Sequence, residues 1–169
     1  MEFVELGPLT PELKSELEGD EQDPFDAAGL TLEYRAKDRH VGLRDASGQL
    51  VASAGMLIVE VEVGGERFAV VGLGGVIVNA RHRGRGLARK VVDAALARAA
   101  TLGPAFALLF CHEDRAGLYR KLGFVVVEDE VVVEQPDGFA ALPQLAMWRR
   151  LHDRATWPGG PLTVHSLPF

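Results

Sequence analysis

The chain has 169 residues, 47% hydrophobic and 25% charged, the balance of one ordinary domain with its own core, which excludes disorder. A net charge of −6 and a pI near 5.4 argue against a nucleic-acid binder, because phosphate neutralisation needs clustered Lys and Arg. The single cysteine, Cys111, allows no intramolecular disulfide; the N-terminus lacks a signal-peptide pattern and the apolar runs are too short to span a membrane, so a cytoplasmic protein without membrane attachment is expected.

Phe3 to Leu6 reads as a short strand. Thr10, Pro11 and Glu12 then make a helix start, with a hydroxyl cap, proline in the first turn and an acid behind it, and the helix is expected to run to about Glu18. Gly19 to Gly29 reads as a loop, long enough to be a binding loop or lid. Met1 to Glu33 carries ten acids against one base, Lys14. Such a stretch is either a solvated surface or an acidic rim that attracts a cationic ligand.

Strands take over from about His40. Val41 to Arg44 is followed by a turn at Asp45–Gly48, and Leu50 to Val63 makes a long strand whose end alternates Val59, Val61 and Val63 with Glu60 and Glu62. Gly64-Gly65 is a two-residue hairpin signal. The return strand, Glu66 to about Val78, is interrupted by Gly72, Gly74 and Gly75, which predicts a bulge or a close approach by another part of the chain. A helix is expected from Gly84 or Arg85 to Leu102, with Leu87, Val91, Ala95 and Ala99 as its buried stripe. Ala105 to Phe110 suits a central strand covered on both faces. Glu113 to Leu122 reads as a second helix, and Phe124 to Val127, Val131 to Glu134 and Pro143 to Trp148 as strands. The tail, 152–169, is expected to be irregular but packed, since it carries Trp157, Leu162, Val164 and Phe169. The order predicts one α/β domain over 1–169: a mixed, mainly antiparallel twisted sheet with a parallel pair, flanked by helices.

The turn Arg81-His82-Arg83-Gly84-Arg85-Gly86 lies between a strand and a helix. The first amides of a helix lack internal partners and sit at the positive end of its dipole, so they attract anions. Glycine admits a bulky phosphate to the backbone, and Arg81, Arg83, Arg85 and Arg89 supply charge. A pyrophosphate fits this pattern better than a single phosphate. There is no Gly-Lys-Ser/Thr ending, so it is not a P-loop, and only two of the three glycines of the dinucleotide fingerprint are present.

Arg81-x-x-Gly84-x-Gly86-Leu87-Ala88 resembles the coenzyme A pyrophosphate motif of the GNAT acetyltransferase superfamily. Leu118-Tyr119-Arg120-Lys121-Leu122-Gly123-Phe124 resembles its second signature, on the helix after the next strand. The resemblance covers about His40 to Trp148, and the general layout is similar to that of the aminoglycoside 2′-N-acetyltransferases. It implies acetyl-CoA as co-substrate and no metal. Val76, Ile77 and Val78 would pair with the pantetheine arm, and Arg81, Arg83, Gly84, Arg85, Gly86, Leu87 and Ala88 would hold the pyrophosphate. Tyr119 would protonate the leaving thiolate. His112 stands where many members carry a cofactor-contacting asparagine.

Acyl transfer from a thioester to an amine needs a neutral amine, a donor for the developing oxyanion and an acid for the thiolate. A phenol with an ordinary pKa of about 10 supplies that last proton at neutral pH. A backbone amide at Val76 or Val78 is the candidate oxyanion donor. Glu60 or Glu62 is the candidate base, with Glu33 and a carboxylate at Phe169 as others. Cys111 reads as a small buried residue rather than a nucleophile. The expected reaction is N-acetylation of a small-molecule or peptide amine, cationic if the acidic segment forms the rim, by direct attack in a ternary complex. The alternative is a non-catalytic acyl-CoA sensor or scaffold. Exposed strand edges are compatible with a homodimer.

Overall fold

The computed structural model describes residues 1–169. Strand β1 (Glu2–Leu6) leads into helix α1 (Pro11–Glu18), which starts as its sequence dictates: Thr10 is extended and its Oγ1 accepts from Leu13 N at 3.3 Å. Segment 19–38 holds no helix or strand. Strands β2 (Arg39–Arg44), β3 (Leu50–Val63) and β4 (Glu66–Val78) then form an antiparallel meander. Gly64 and Gly65 turn β3 into β4 with φ of +56° and +87°, the left-handed pair that a tight hairpin needs.

A 3₁₀ turn (Ala80–His82) and helix α2 (Leu87–Ala99) carry the chain across to strand β5 (Phe106–Cys111), which runs parallel to β4. A second 3₁₀ turn (Glu113–Arg115) opens helix α3 (Ala116–Lys121). Strands β6 (Val125–Val126), β7 (Val131–Gln135), β8 (Gly138–Ala141), β9 (Leu145–Arg150) and β10 (Leu162–Val164) complete the sheet. Its order is β6-β9-β5-β4-β3-β10-β7-β8, with β2 and then β1 attached to β3. β3 is long enough to serve two neighbours on one edge, β2 along Leu50–Met56 and β10 along Val61–Val63.

The expected α/β architecture is present, with the parallel pair β4–β5. Three details differ from the sequence reading. Helix α2 begins at Leu87 because Gly84 and Gly86 both hold positive φ and keep the chain out of helix until then. The second helix winds as a 3₁₀ turn until Ala116. The tail contributes a strand: β10 pairs antiparallel with β3 and parallel with β7, burying Leu162 and Val164. Three residues of alternation are too few to announce a strand before the neighbours are known.

Every residue of β5 is buried, as a doubly covered central strand requires. Ala107, Leu109 and Cys111 face the cluster under α2, where Leu87, Val91, Ala95 and Ala99 form the expected stripe. Phe106, Leu108 and Phe110 face the opposite cluster with Phe169. There Trp148 and Trp157 stack at 5.1 Å and Phe106 meets both rings edge-on. No helix is long and apolar enough to cross a membrane.

Candidate active site

The site arises where two parallel strands part. β4 pairs with β5 only from Val71–Leu73 against Ala107–Leu109. Beyond Leu73 the register of β4 against β3 also shifts, and Gly75 takes φ +58° at the bulge. The remaining stretch, Gly74–Val78, keeps β3 on one side and loses β5 on the other. A split strand edge with free peptide groups therefore opens into solvent-filled space.

Two adjoining clefts occupy the split. The first, about 470 Å³, lies along Val76, Ile77 and Val78 and ends at Gly84, Gly86, Leu87 and Ala88. Its floor is fixed by Asn79, which is buried. Asn79 Nδ2 donates to Glu16 O at 2.8 Å, and its Oδ1 accepts from Arg81 N at 3.1 Å. The turn is thus tied to α1 before it reaches the glycines. Gly84 and Gly86 have φ of +75° and +72°, and no atom lies within 4 Å of where a Cβ would stand on either. Glycine is needed there for backbone geometry, and the space above remains open. Gly86 caps α2 without any side-chain hydrogen bond, so the leading amides of a thirteen-residue helix face the cleft unsatisfied.

The second cleft, about 290 Å³, continues past Val76 and Tyr119, which line both. Its walls include Phe25, Tyr34, Lys37, Phe110, Gln144 and Phe169. Tyr119 projects from α3 with its ring edge-on to Phe124 at 5.9 Å. Burial, then the neighbouring Cys111, push its phenol up to about 12, so it stays protonated across the neutral range. Cys111 itself is buried, its thiol pushed up to about 11 by burial and set 3.7 Å from Met147 Sδ. That is a packed thiol rather than a nucleophile.

Residues 19–127 match the model of the acetyltransferase (GNAT) domain. The chain belongs to the GNAT acetyltransferase family. Among solved structures, it is similar in fold to the GNAT N-acetyltransferase YhbS of Escherichia coli, solved in complex with CoA (TM-score 0.62, 21% identity, covering 96% of this chain and 89% of that one). It is also similar to the phosphinothricin acetyltransferase of Sinorhizobium meliloti (TM-score 0.58, 16% identity, 94% of each chain). An aminoglycoside 6′-N-acetyltransferase complexed with coenzyme A has a similar fold (TM-score 0.58, 17% identity, 92% of this chain and 100% of that one). No match to a curated protein was found.

Within this GNAT domain the expected residues fall in three places. Val76, Ile77, Val78, Arg83, Gly84, Gly86, Leu87 and Ala88 line the first cleft, with Tyr119 at its inner end. Arg81 and Arg85 stand exposed beside it. His112 lines the second cleft instead, where its Nε2 lies 2.9 Å from Asp26 O. Glu60 and Glu62 lie beyond the bulge on the far half of β3, beside β10 and away from both clefts; the exposed Glu60 stands 3.8 Å from Arg67. Strand alternation put both on one face correctly, but the period says nothing about distance along the strand. Glu33 lends only its backbone, which exchanges hydrogen bonds with the Gln135 amide.

The acidic segment is likewise not the wall of the second cleft. Asp20 approaches Arg81 at 3.9 Å, and Glu21 pairs with Arg83 (Nη1 to Oε1, 3.1 Å). Segment 19–38 then crosses the split to the far strands, held by Tyr34 to Gln144 (2.6 Å) and by Arg35 N to Pro168 O (2.8 Å). The residues that sequence reasoning missed, Phe25, Tyr34, Lys37 and Gln144, come from this crossing and from the loop before β9. One signal did exist: the glycines of β4. A Cβ on Gly72 would meet the Phe169 ring at 2.6 Å, and one on Gly74 would meet Lys37 Cε at 2.8 Å. The close approach was legible, though its partners were not.

Proposed function

We propose that this domain is an acetyl-CoA-dependent N-acetyltransferase, moving an acetyl group to a primary amine by direct attack in a ternary complex. The observation that carries this reading is the position of Tyr119, at the one place where a helix-capped anion cleft and an apolar second cleft meet. The uncapped N-terminus of α2, the two open glycine positions and the arginines suit a pyrophosphate. The split edge of Val76–Val78 suits an amide-bearing arm. Similar folds solved with CoA or acetyl-CoA, those of YhbS, the phosphinothricin acetyltransferase and the aminoglycoside 6′-N-acetyltransferase, support the same choice.

Acetyl-CoA, when bound, supplies an activated acetyl thioester. The chain's own residues do the rest. A main-chain amide of Val76 or Val78 donates to the carbonyl oxygen as negative charge builds there. Tyr119 holds a proton for the departing sulfur. Phe110, Phe169 and Phe25 exclude water from the second cleft. No Asp or Glu side chain lines that cleft, and Lys37 lines it, so an incoming ammonium is disfavoured and the neutral amine is the form admitted. Glu60 and Glu62 take no part in this scheme.

Thiol release from acetyl-CoA, measured against a panel of amines for wild type and Tyr119→Phe, tests the reading. An amine-dependent rate that the variant loses, with acetyl-CoA still raising the variant's melting temperature, is the expected result. Cofactor binding without turnover for any amine would move the sensor or scaffold alternative ahead.

A further inference from the structure

Lys37 is the one charged side chain whose place neither the fold nor the acetyl-transfer scheme explains. Its stem lies in a trough made by three missing Cβ atoms. A Cβ on Gly55 would meet Lys37 Cγ at 2.8 Å, one on Gly74 would meet Cε at 2.8 Å, and one on Gly75 would stand 3.5 Å from Nζ. The strand glycines therefore admit this side chain and lead its ammonium to Gly75, one residue before the Val76 amide. Lys37 lines the second cleft and also a third, about 240 Å³, that adjoins it beneath Phe25.

The ammonium has no side-chain carboxylate within 4.0 Å and makes no hydrogen bond within the protein. Around it the second cleft presents Arg115 and His112 and no acid; Asp38, its sequence neighbour, is turned to Arg39 at 3.2 Å. Packing alone would be served better by an uncharged stem such as methionine, because a half-buried charge without a partner costs free energy. Burial pulls the Lys37 pKa down to about 8, in line with that cost.

We propose that the acceptor is a small primary amine that also bears a carboxylate, of the size and kind of an amino acid, and that Lys37 is the residue that anchors the carboxylate. This rests on the N-acetyltransferase reading of the same site. The acceptor's carboxylate supplies the partner that Lys37 lacks, its amine is left directed toward Val76 and Tyr119, and its apolar part lies against Phe25, Phe110 and Phe169. A cleft of about 290 Å³ is at the small end for ligand sites and suits an acceptor of this size better than an oligosaccharide.

The test uses matched amines: apolar amino acids with the amine at the α, β or γ position, each beside its carboxamide and the amine lacking the carboxylate. They are assayed by thiol release from acetyl-CoA with wild type, Lys37→Met and Lys37→Gln. Both variants keep an unbranched stem, and the acetyl-CoA-induced rise in melting temperature serves as the control for folding. Wild type is expected to prefer an acid over its amide by roughly tenfold or more in kcat/KM, and both variants to lose that preference through a higher KM for the acid. Equal use of acid and amide by wild type overturns the proposal. So does an equal fall in kcat for every amine in the variants, which would make Lys37 a participant in proton transfer. Should nothing turn over, the transferase reading fails separately, and the anchor is read from binding to the CoA-loaded protein. Amino acids that raise the melting temperature of wild type but not of Lys37→Met sustain it, and no shift in either overturns it.

Discussion

The two clefts share Val76 and Tyr119 and are built in opposite ways. The first is almost one contiguous run, Val76 to Ala88, in which strand edge, turn and helix N-terminus follow one another in the chain. The second is assembled from the 25–37 crossing, the bulge of β4, the ends of β5 and α3, the loop before β9 and the last residue described. A run that binds through backbone geometry leaves a spacing of glycines and arginines that can be read without a fold. A wall assembled from side chains on five segments leaves none, because each contributes a residue or two whose type is ordinary where it stands.

Tyr119→Phe acts where the clefts meet and carries the largest expected effect, a loss of about 10²- to 10⁴-fold in kcat. The acetyl-CoA-induced shift in melting temperature is expected to survive it. With the phenol pushed up to about 12, the protonated form persists well into alkaline solution, so Tyr119 sets no falling limb in the rate profile below about that pH. A limb near pH 10 that vanished in the variant would place the hydroxyl in a less buried setting than the structure gives it.

Gly86→Val separates the clefts from the cofactor side. A β-branched residue at φ +72° carries strain of about 1–3 kcal/mol and blunts the opening of α2. The KM for acetyl-CoA is expected to rise roughly ten- to hundredfold, while the KM for the amine holds. Gly72→Ala separates them from the other side. Its methyl would lie 2.6 Å from the Phe169 ring, so the aromatic wall must move, at a cost of about 1–3 kcal/mol in stability. Thermal unfolding should report that loss, amine KM should change, and the acetyl-CoA-induced shift should remain. If both variants altered the same constant, the clefts would be one functional unit.

These variants also mark how far the sequence could be read. The meander, the hairpin at Gly64–Gly65, the crossover helix and the parallel pair were legible because each rests on local periodicity or a turn with one conformational solution. The glycine turn and Tyr119 were legible as paired motifs in order. Strand β10 was not, since its three residues become a strand only between β3 and β7. Lys37 and Tyr34 were not, because a lone lysine or tyrosine in a loop carries no period. The misplacement of Glu60 and Glu62 has the same cause: alternation fixes which face a side chain takes but not which end of a long strand the site occupies.

The smallest effect probes the one link between the acidic segment and the first cleft. Glu21 lines that cleft and holds Arg83, whose Nε also donates to Val78 O at 3.1 Å. An arginine engaged by a carboxylate must exchange that partner before it can serve a pyrophosphate, so the pair works against the cofactor by whatever it is worth. Both side chains remain partly exposed, and pairs of that kind contribute about 0.2–1 kcal/mol. Glu21→Gln is therefore expected to tighten CoA binding by at most about fivefold, measured calorimetrically, with the gain shrinking as salt is added. Weaker binding in the variant would mean that Glu21 orients Arg83 toward the ligand rather than away from it. The acidic segment would then belong to the cofactor site, and the division between a cleft written in one run and a cleft gathered from many would shift by one residue across segment 19–38.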